Sequence, residues 1–465
     1  MRPFKYIFPI IAGLLLASCQ LTKVTDIVPP YQLDESSAIV DIASAEKVLN
    51  ATYSRLHFYE LIVNQPGCTG AMGFSFVPGP QSAGDYANYD QFCNNSVSPD
   101  NYLLTSVYST WYYIINMSSH VMDKTGKLSI DAARKNQIIG EAAFLRALGH
   151  FYLLRWYGQF FDINSPYGIV TWNTPVNDIA ARPRNTVKET YDQILADLEL
   201  AIAQAPGYTT AVYASKQAAL ALKAKVLLYK RDYAAAATAA TLAIAQKGAV
   251  TLEPAFGEIF NKWFNSKEAL LAIYFDDKTE SNNKAFTFRG IVMPTPYYLN
   301  FMAGDTRKDK TVYLGPTNTL RSGKFENALI NGRSLVCNTE YYLRLAEIYL
   351  IHAEALVRSS NGTANFQAAR DAVNVIRFRA NMPLIENTVN TKESLLAAIR
   401  KEKQLELGCE SGEEWYDLVR FSIEGDLKMT DYKPKAVNNT RYIVPIPFNV
   451  ILASGYIIKQ NPGYE

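Results

Sequence analysis

The stretch Leu343–Arg358, LRLAEIYLIHAEALVR, places Leu343, Ala346, Leu350, Ala353 and Val357 at three- and four-residue spacing. That is one stripe of an α-helix. Ile348, Tyr349, Ile351 and Ala355 cover the remaining sides, so the spacing predicts a helix buried nearly all round, with alanines small enough for a neighbour to approach closely. Ser359-Ser360-Asn361-Gly362 breaks it, because Gly and Asn tolerate positive φ. A return helix follows from Phe366 to Asn381, lined by Phe366, Ala369, Val373 and Ile376. The pair reads as a helical hairpin with the small/large alternation of a tetratricopeptide (TPR) unit.

Outward from that hairpin the same periodicity recurs. Ser215–Tyr229 and Ala234–Gln246, joined by Arg231-Asp232-Tyr233, form the cleanest TPR-like pair; Ala132–Tyr157 is a long helix ending at Gly158. Helices are also predicted over Ala43–Tyr59, Tyr102–Asp123, from the cap Asn185-Thr186 to about Ala205, over Thr391–Leu407 and over Glu413–Phe421. Long insertions separate the units, which excludes a tandem solenoid. Two sections lack sustained periodicity: Leu61–Asp100, and Phe256–Asp305 with a short strand at Leu270–Phe275. Long irregular sections in compact domains carry function or are disordered, and their aromatics argue against simple disorder. The expected fold is mostly α: a TPR-like scaffold of about four units packed against a loop-rich half with minor β.

Composition narrows the function classes. The 465 residues are 48% hydrophobic, enough for a sizeable core, with 30 tyrosines against 5 tryptophans. Arg2 and Lys5, an apolar run Tyr6–Leu16 and the small Ala17 and Ser18 read as an export signal at 1–18, too short in its apolar part to span a bilayer. Without Arg2 and Lys5 the 46 basic residues become 44, balancing 44 acidic ones. A neutral chain lacks the basic excess that neutralises phosphates, so nucleic acid is not an expected partner. Leu16-Ala17-Ser18-Cys19 resembles a bacterial lipobox, in which Cys19 is lipidated and begins the mature chain; polar 19–38, with Pro29-Pro30, then reads as a tether. Cys68 and Cys93 flank the first irregular section and are disulfide candidates in an exported protein, whereas Cys337 and Cys409 read as buried thiols. No CxxC or Cys/His spacing suggests a metal, and no motif suggests a cofactor.

Several stretches together resemble the SusD/RagB family of outer-membrane nutrient-binding lipoproteins of Bacteroidetes. They are Arg344-Leu345-Ala346-Glu347 through Ala353-Glu354-Ala355, then Asn374, Arg377 and Arg379-Ala380, then Glu406-Leu407 and Glu410 before Trp415-Tyr416-Asp417-Leu418-Val419-Arg420. Gly140-Glu141-Ala142 with Phe144-Leu145-Arg146-Ala147, and the ending Pro445-Ile446-Pro447 with Gln460-Asn461-Pro462-Gly463-Tyr464, match as well. The chain departs from the usual pattern at Lys401-Glu402-Lys403 and at Ser411-Gly412. The resemblance implies one domain over 39–465, with ligand loops and the first TPR units in 39–310 and the C-terminal RagB/SusD part in 311–465. It further implies a lipid-anchored protein on the outer membrane's exterior face, capping a SusC-type TonB-dependent transporter and capturing oligosaccharide, or peptide in some branches.

The best-matching charged residues read as architectural rather than catalytic. Glu347 and Glu354 lie on one helix about 10.5 Å apart along its axis, whereas a glycosidase pair faces across a cleft. They are expected to pair with arginines such as Arg377 or Arg420, and Arg344 with Glu347 three residues on. No GxSxG, HExxH or phosphate-binding loop occurs, so the chain is read as a binding protein and not an enzyme, an exported hydrolase being the lesser alternative. Sugar rings stack on aromatic faces while amides and charged groups meet their hydroxyls. The candidates for that work are Asp85, Tyr86, Asn88, Tyr89 and Phe92 in the first irregular section, and Phe286, Arg289 and Tyr297 in the second.

Overall fold

The computed structural model describes residues 38–79, 87–129, 132–178, 180–274, 283–315, 318–325, 328–330, 333–335 and 339–465. The signal segment, Cys19 and most of the tether, Asp85, Tyr86, Cys337 and the side chain of Arg289 lie outside that set. The chain is mostly helical: α1 Ile42–Leu56, α2 Gln65–Met72, α3 Ala87–Cys93, α4 Tyr102–Gly126, α5 Ala132–Tyr157, α6 Val187–Gln204, α7 Lys216–Tyr229, α8 Tyr233–Ala245, α9 Pro296–Phe301, α10 Leu345–Ser359, α11 Phe366–Arg379, α12 Lys392–Leu407, α13 Glu413–Ile423 and α14 Phe448–Ala453. The strands that matter here are β1 Phe76–Pro78, β2 Ala269–Tyr274, β3 Val292–Pro294 and β4 Thr339–Arg344.

Local chemistry sets the helix starts. Asp41 with Ser44 and Thr186 with Glu189 form capping boxes that satisfy otherwise orphaned N–H groups at the first turns of α1 and α6. Ser215 and Asp232 cap α7 and α8 in the same way. Helix α4 packs on α5, α5 on α6, α7 on α8, and α10 on α8, α11 and α12. Alanines 236, 237, 239, 240 and 243 of α8 are buried, which lets its partners approach. One core runs from Ile39 to Ile458, and a second joins α10, α11 and α12.

Three expectations are corrected here. Leu343 and Arg344 end β4, which is buried throughout and pairs antiparallel with β2 (Ala269 opposite Arg344), so the helix starts at Leu345. The β-prone Thr339–Tyr342 run carries the chain straight from strand into helix. Second, Leu61–Asp100 is not one long loop but holds α2, β1 and α3. Its glycines had masked the helix: a Cβ at Gly67 would lie 3.0 Å from both Thr287 Cγ2 and Tyr89 Cε1, so this turn is glycine because neighbours crowd it. Third, Cys68 and Cys93 are free buried thiols and form no disulfide. Burial pushes Cys93 up to about 12 and Cys68 well above its ordinary value.

Buried ion pairs join the C-terminal helices to the strand layer. Arg344 meets Glu410 at 2.8 Å, Glu268 at 2.9 Å and Glu406 at 3.0 Å, while Arg307 meets Glu402 at 2.7 Å and Glu406 at 3.0 Å. Glu354 accepts a bidentate pair from Arg420 at 2.8 and 2.9 Å, and Arg358 at 2.8 Å. Glu347 pairs with Lys225 at 2.7 Å, not with Arg344, because Arg344 belongs to the strand and faces another layer. Arg377 pairs with Glu402 at 2.8 Å rather than with either expected glutamate.

Candidate functional site

Residues of the two irregular sections meet where β1 pairs antiparallel with β3, Phe76 opposite Pro294 and Val77 opposite Met293. Thr295 N–H donates to the Ser75 carbonyl at 2.7 Å. The Thr295 hydroxyl accepts from Tyr298 N–H at 3.0 Å, capping α9 and aiming it outward. Beside this junction lies a cavity of about 360 Å³, lined from the first section by Phe74, Phe76, Val77 and Cys93–Asn95, from the second by Thr295 and Tyr297, and by Asp431–Lys435 near the C-terminus.

Phe74 is the hub of its aromatic wall. Its ring lies edge-on to Tyr297 at 5.8 Å, Tyr298 at 5.7 Å, Phe301 at 6.1 Å and Tyr432 at 5.7 Å. Phe74 itself is buried, while Tyr297 is 56% exposed, so the buried ring braces an aromatic face open to solvent. Lys433 fastens the floor: its ammonium donates to the carbonyls of Ala71, Gly73 and Cys93 at 3.2, 3.0 and 2.9 Å, gathering the end of α2, the Phe74 segment and the end of α3. Burial lowers its pKa to about 8, so the ammonium is retained at neutral pH. Lys435 reaches Asn94 Oδ1 at 2.9 Å on the exposed rim.

Asn95 is the unusual member. It is 3% exposed, it sits in the left-handed region at φ 50°, and neither side-chain polar atom has a hydrogen-bond partner among the described residues. An unpaired buried amide costs about 1–3 kcal/mol. Both atoms are covered, so a guest in the cavity meets this donor and acceptor only once the lining shifts. Among the described residues of the lining Asp431 is the one carboxylate and burial holds the Cys93 thiol protonated, so those residues offer no acid pair and no activated nucleophile. Among the described residues no cluster of three His, Cys, Asp or Glu side chains is placed to hold a metal.

Of the expected ligand contacts, Tyr297 is on the cavity. Tyr89 and Phe92 are not available for stacking: Tyr89 is 2% exposed with its hydroxyl on Asn64 Oδ1 at 2.9 Å, and Phe92 is fully buried against Trp156. Both lie on the inward face of α3, whose helical form was not expected, and their burial is what holds that helix down. Asn88, half-buried on α3, uses its carbonyl to accept from Asn101 Nδ2 at 3.0 Å. Phe286 is half-buried and packs on the main core. Asn95, Tyr432 and Lys433 were missed; an Asn-Asn pair after a cysteine and a Lys-Pro-Lys run carry no motif, and they lie some 340 residues apart in sequence (Cys93 to Lys433).

A family model described as the SusD family matches residues 296–464, and one described as starch-binding and associating with the outer membrane matches residues 31–228. The chain is 26% identical over 431 residues to SusD-like protein P2 of Formosa agariphila, covering 80% of this chain and 83% of that protein. A SusD-like protein of Bacteroides ovatus is 24% identical, over 74% of this chain and 70% of its own length. Among solved structures, a SusD superfamily protein of Bacteroides thetaiotaomicron superposes with a TM-score of 0.78 at 23% identity, covering 91% of this chain and all of the other. A laminarin-binding SusD-like protein superposes with a TM-score of 0.75 at 22% identity, covering 92% of this chain and all of the other. With models matched in both halves and one fold shared along nine-tenths of its length, the chain belongs to the SusD/RagB family.

Proposed function

We propose that this protein is a non-enzymatic cell-surface lipoprotein that captures glycan in the β1–β3 cavity and passes it to a SusC-type TonB-dependent transporter. The observation that carries the reading is the pairing, on one cavity, of an open aromatic face at Tyr297 with the unpartnered amide of Asn95. A sugar presents a flat C–H face and flanking hydroxyls, and those two groups answer both. Family membership and the laminarin-binding relative support the glycan class over peptide. Anchoring would be through acylated Cys19, since Leu16-Ala17-Ser18-Cys19 resembles a lipobox.

The test is calorimetry of a soluble form beginning at Gln20 against a panel of polysaccharides and mixed peptides, with Asn95→Ala and Tyr297→Ala beside it. Binding of one glycan class, weakened at least tenfold in each folded variant, is expected. Binding of peptides alone would assign the chain to the peptide-binding branch, and cleavage of any ligand would overturn the non-enzymatic reading.

A further inference from the structure

A second and larger cavity, about 490 Å³, opens between α4, the segment around Val170–Trp172 and the C-terminal residues Val450 and Ile458. It shares no residue with the first. Tyr108, Tyr112, Tyr113 and Met117 recur on one side of α4 and, with Trp172, make most of the wall. The rings of Tyr108 and Tyr112 are 4.6 Å apart and those of Tyr112 and Trp172 4.8 Å apart, a continuous aromatic surface.

The polar groups of this wall are largely spent on the protein itself. Asn116 donates to the Val176 carbonyl at 3.0 Å and accepts from its N–H at 2.8 Å; the Tyr112 hydroxyl donates to the Val170 carbonyl at 2.9 Å; and Ser109 donates to the Thr105 carbonyl at 2.7 Å. The indole N–H of Trp172 has no acceptor among the described residues but is itself covered. A wall so poor in free hydroxyl-matching groups is a poor fit for sugar and a good one for an apolar ring.

The charge at this cavity has one sign. Arg182 is the charged residue of the lining, and its partner Asp178 at 3.0 Å is an exposed i,i+4 contact of little strength. Arg184 lies behind the tyrosines, close enough to act on the Tyr108 and Tyr112 hydroxyls, and donates to the neutral carbonyls of Tyr157, Gly168 and Lys459 and to Asn461 Oδ1. Burial lowers its pKa to about 10, which leaves it charged. Arg55 stacks at 4.0 Å on the Tyr113 ring. Three guanidinium groups around an aromatic cavity favour a negative guest.

We propose that this cavity is a second binding site, for an amphiphilic anion: a flat apolar ring system carrying one carboxylate or sulfonate group, its body among Tyr112, Met117 and Trp172 and its charge toward Arg182. The site is independent of glycan capture, so either can fail alone.

The probe is 8-anilinonaphthalene-1-sulfonate, titrated by fluorescence into the soluble form beginning at Gln20, with the neutral N-phenyl-1-naphthylamine as its uncharged counterpart. One saturable equivalent of the sulfonate is expected, at least tenfold tighter than the neutral probe. It should weaken at least tenfold in Ala181→Trp, which fills the cavity, and in Arg182→Glu, which reverses the exposed charge without touching the core. Asn95→Gly, in the other cavity, should leave it unchanged. Equal affinity for the neutral probe, non-saturable binding, or full binding retained in a folded Arg182→Glu protein would each overturn the assignment.

Discussion

Asn95 concentrates the conflict between stability and function at one position. Its left-handed backbone is one that asparagine adopts more readily than most residues and glycine more readily still, and its unpaired amide costs about 1–3 kcal/mol. Asn95→Gly eases the first and removes the second, so the variant should melt at the same or a higher temperature than the parent while its glycan affinity falls at least tenfold. A lower melting temperature with affinity intact would instead make Asn95 part of the scaffold. Tyr297 is the complementary case. Its ring is open to solvent on a wall braced from behind by buried Phe74, so removing it should cost binding with little change in stability.

At the scale of elements, α10, α12 and α13 are joined by charge as much as by apolar contact. Glu354 of α10 is the shared acceptor of Arg420, Arg358 and Lys403, and together these hold its carboxyl well below the ordinary range despite burial. Truncating it leaves three cations without their common partner. Glu354→Ala should therefore destabilise by about 3–5 kcal/mol in urea unfolding, more than an exposed pair such as Lys188–Asp192 could. Glu414, in the first turn of α13, runs the other way. Burial lifts its carboxyl to about 7, with Ser75, donating from N–H and hydroxyl, pulling down. An unfolded glutamate titrates near 4.3, so between about pH 4.3 and 7 the folded chain holds the extra proton. This group's contribution is complete below that window and lost as pH rises through 7. Melting temperature should thus fall from pH 5 to pH 7.5, and Glu414→Gln, which keeps an acceptor for Ser75, should flatten that slope. An unchanged slope would place the proton elsewhere, Glu340 being the next carboxyl lifted to about 7.

For the whole molecule, the proposed lipid anchor at Cys19 is the part that folding does not express. Cys19→Ala should abolish labelling by a palmitate analogue and move the protein from the membrane to the soluble fraction, while the soluble form keeps its glycan affinity. Retention on membranes without the label would point to a protein contact as the tether. Helices α5, α7, α8, α10, α11 and α12 were legible within a few residues, because a 3.6-residue apolar repeat and a capping side chain are local properties. The helices α2 and α3 were not, since Gly67 and Gly70 answer to neighbours, Thr287, Tyr89 and Phe76, that the sequence does not place beside them. The amino-acid sequence by itself thus determined the helical scaffold, the architectural role of Glu347 and Glu354, and the family pattern. Tertiary structure alone decided which aromatics face inward, as Tyr89 and Phe92 do, and which face out, as Tyr297 does. It also brought Asn95, Tyr297 and Lys433 to one cavity. A binding surface is made of side chains that chain folding juxtaposes across hundreds of residues, and no local periodicity encodes which of them is left without a partner.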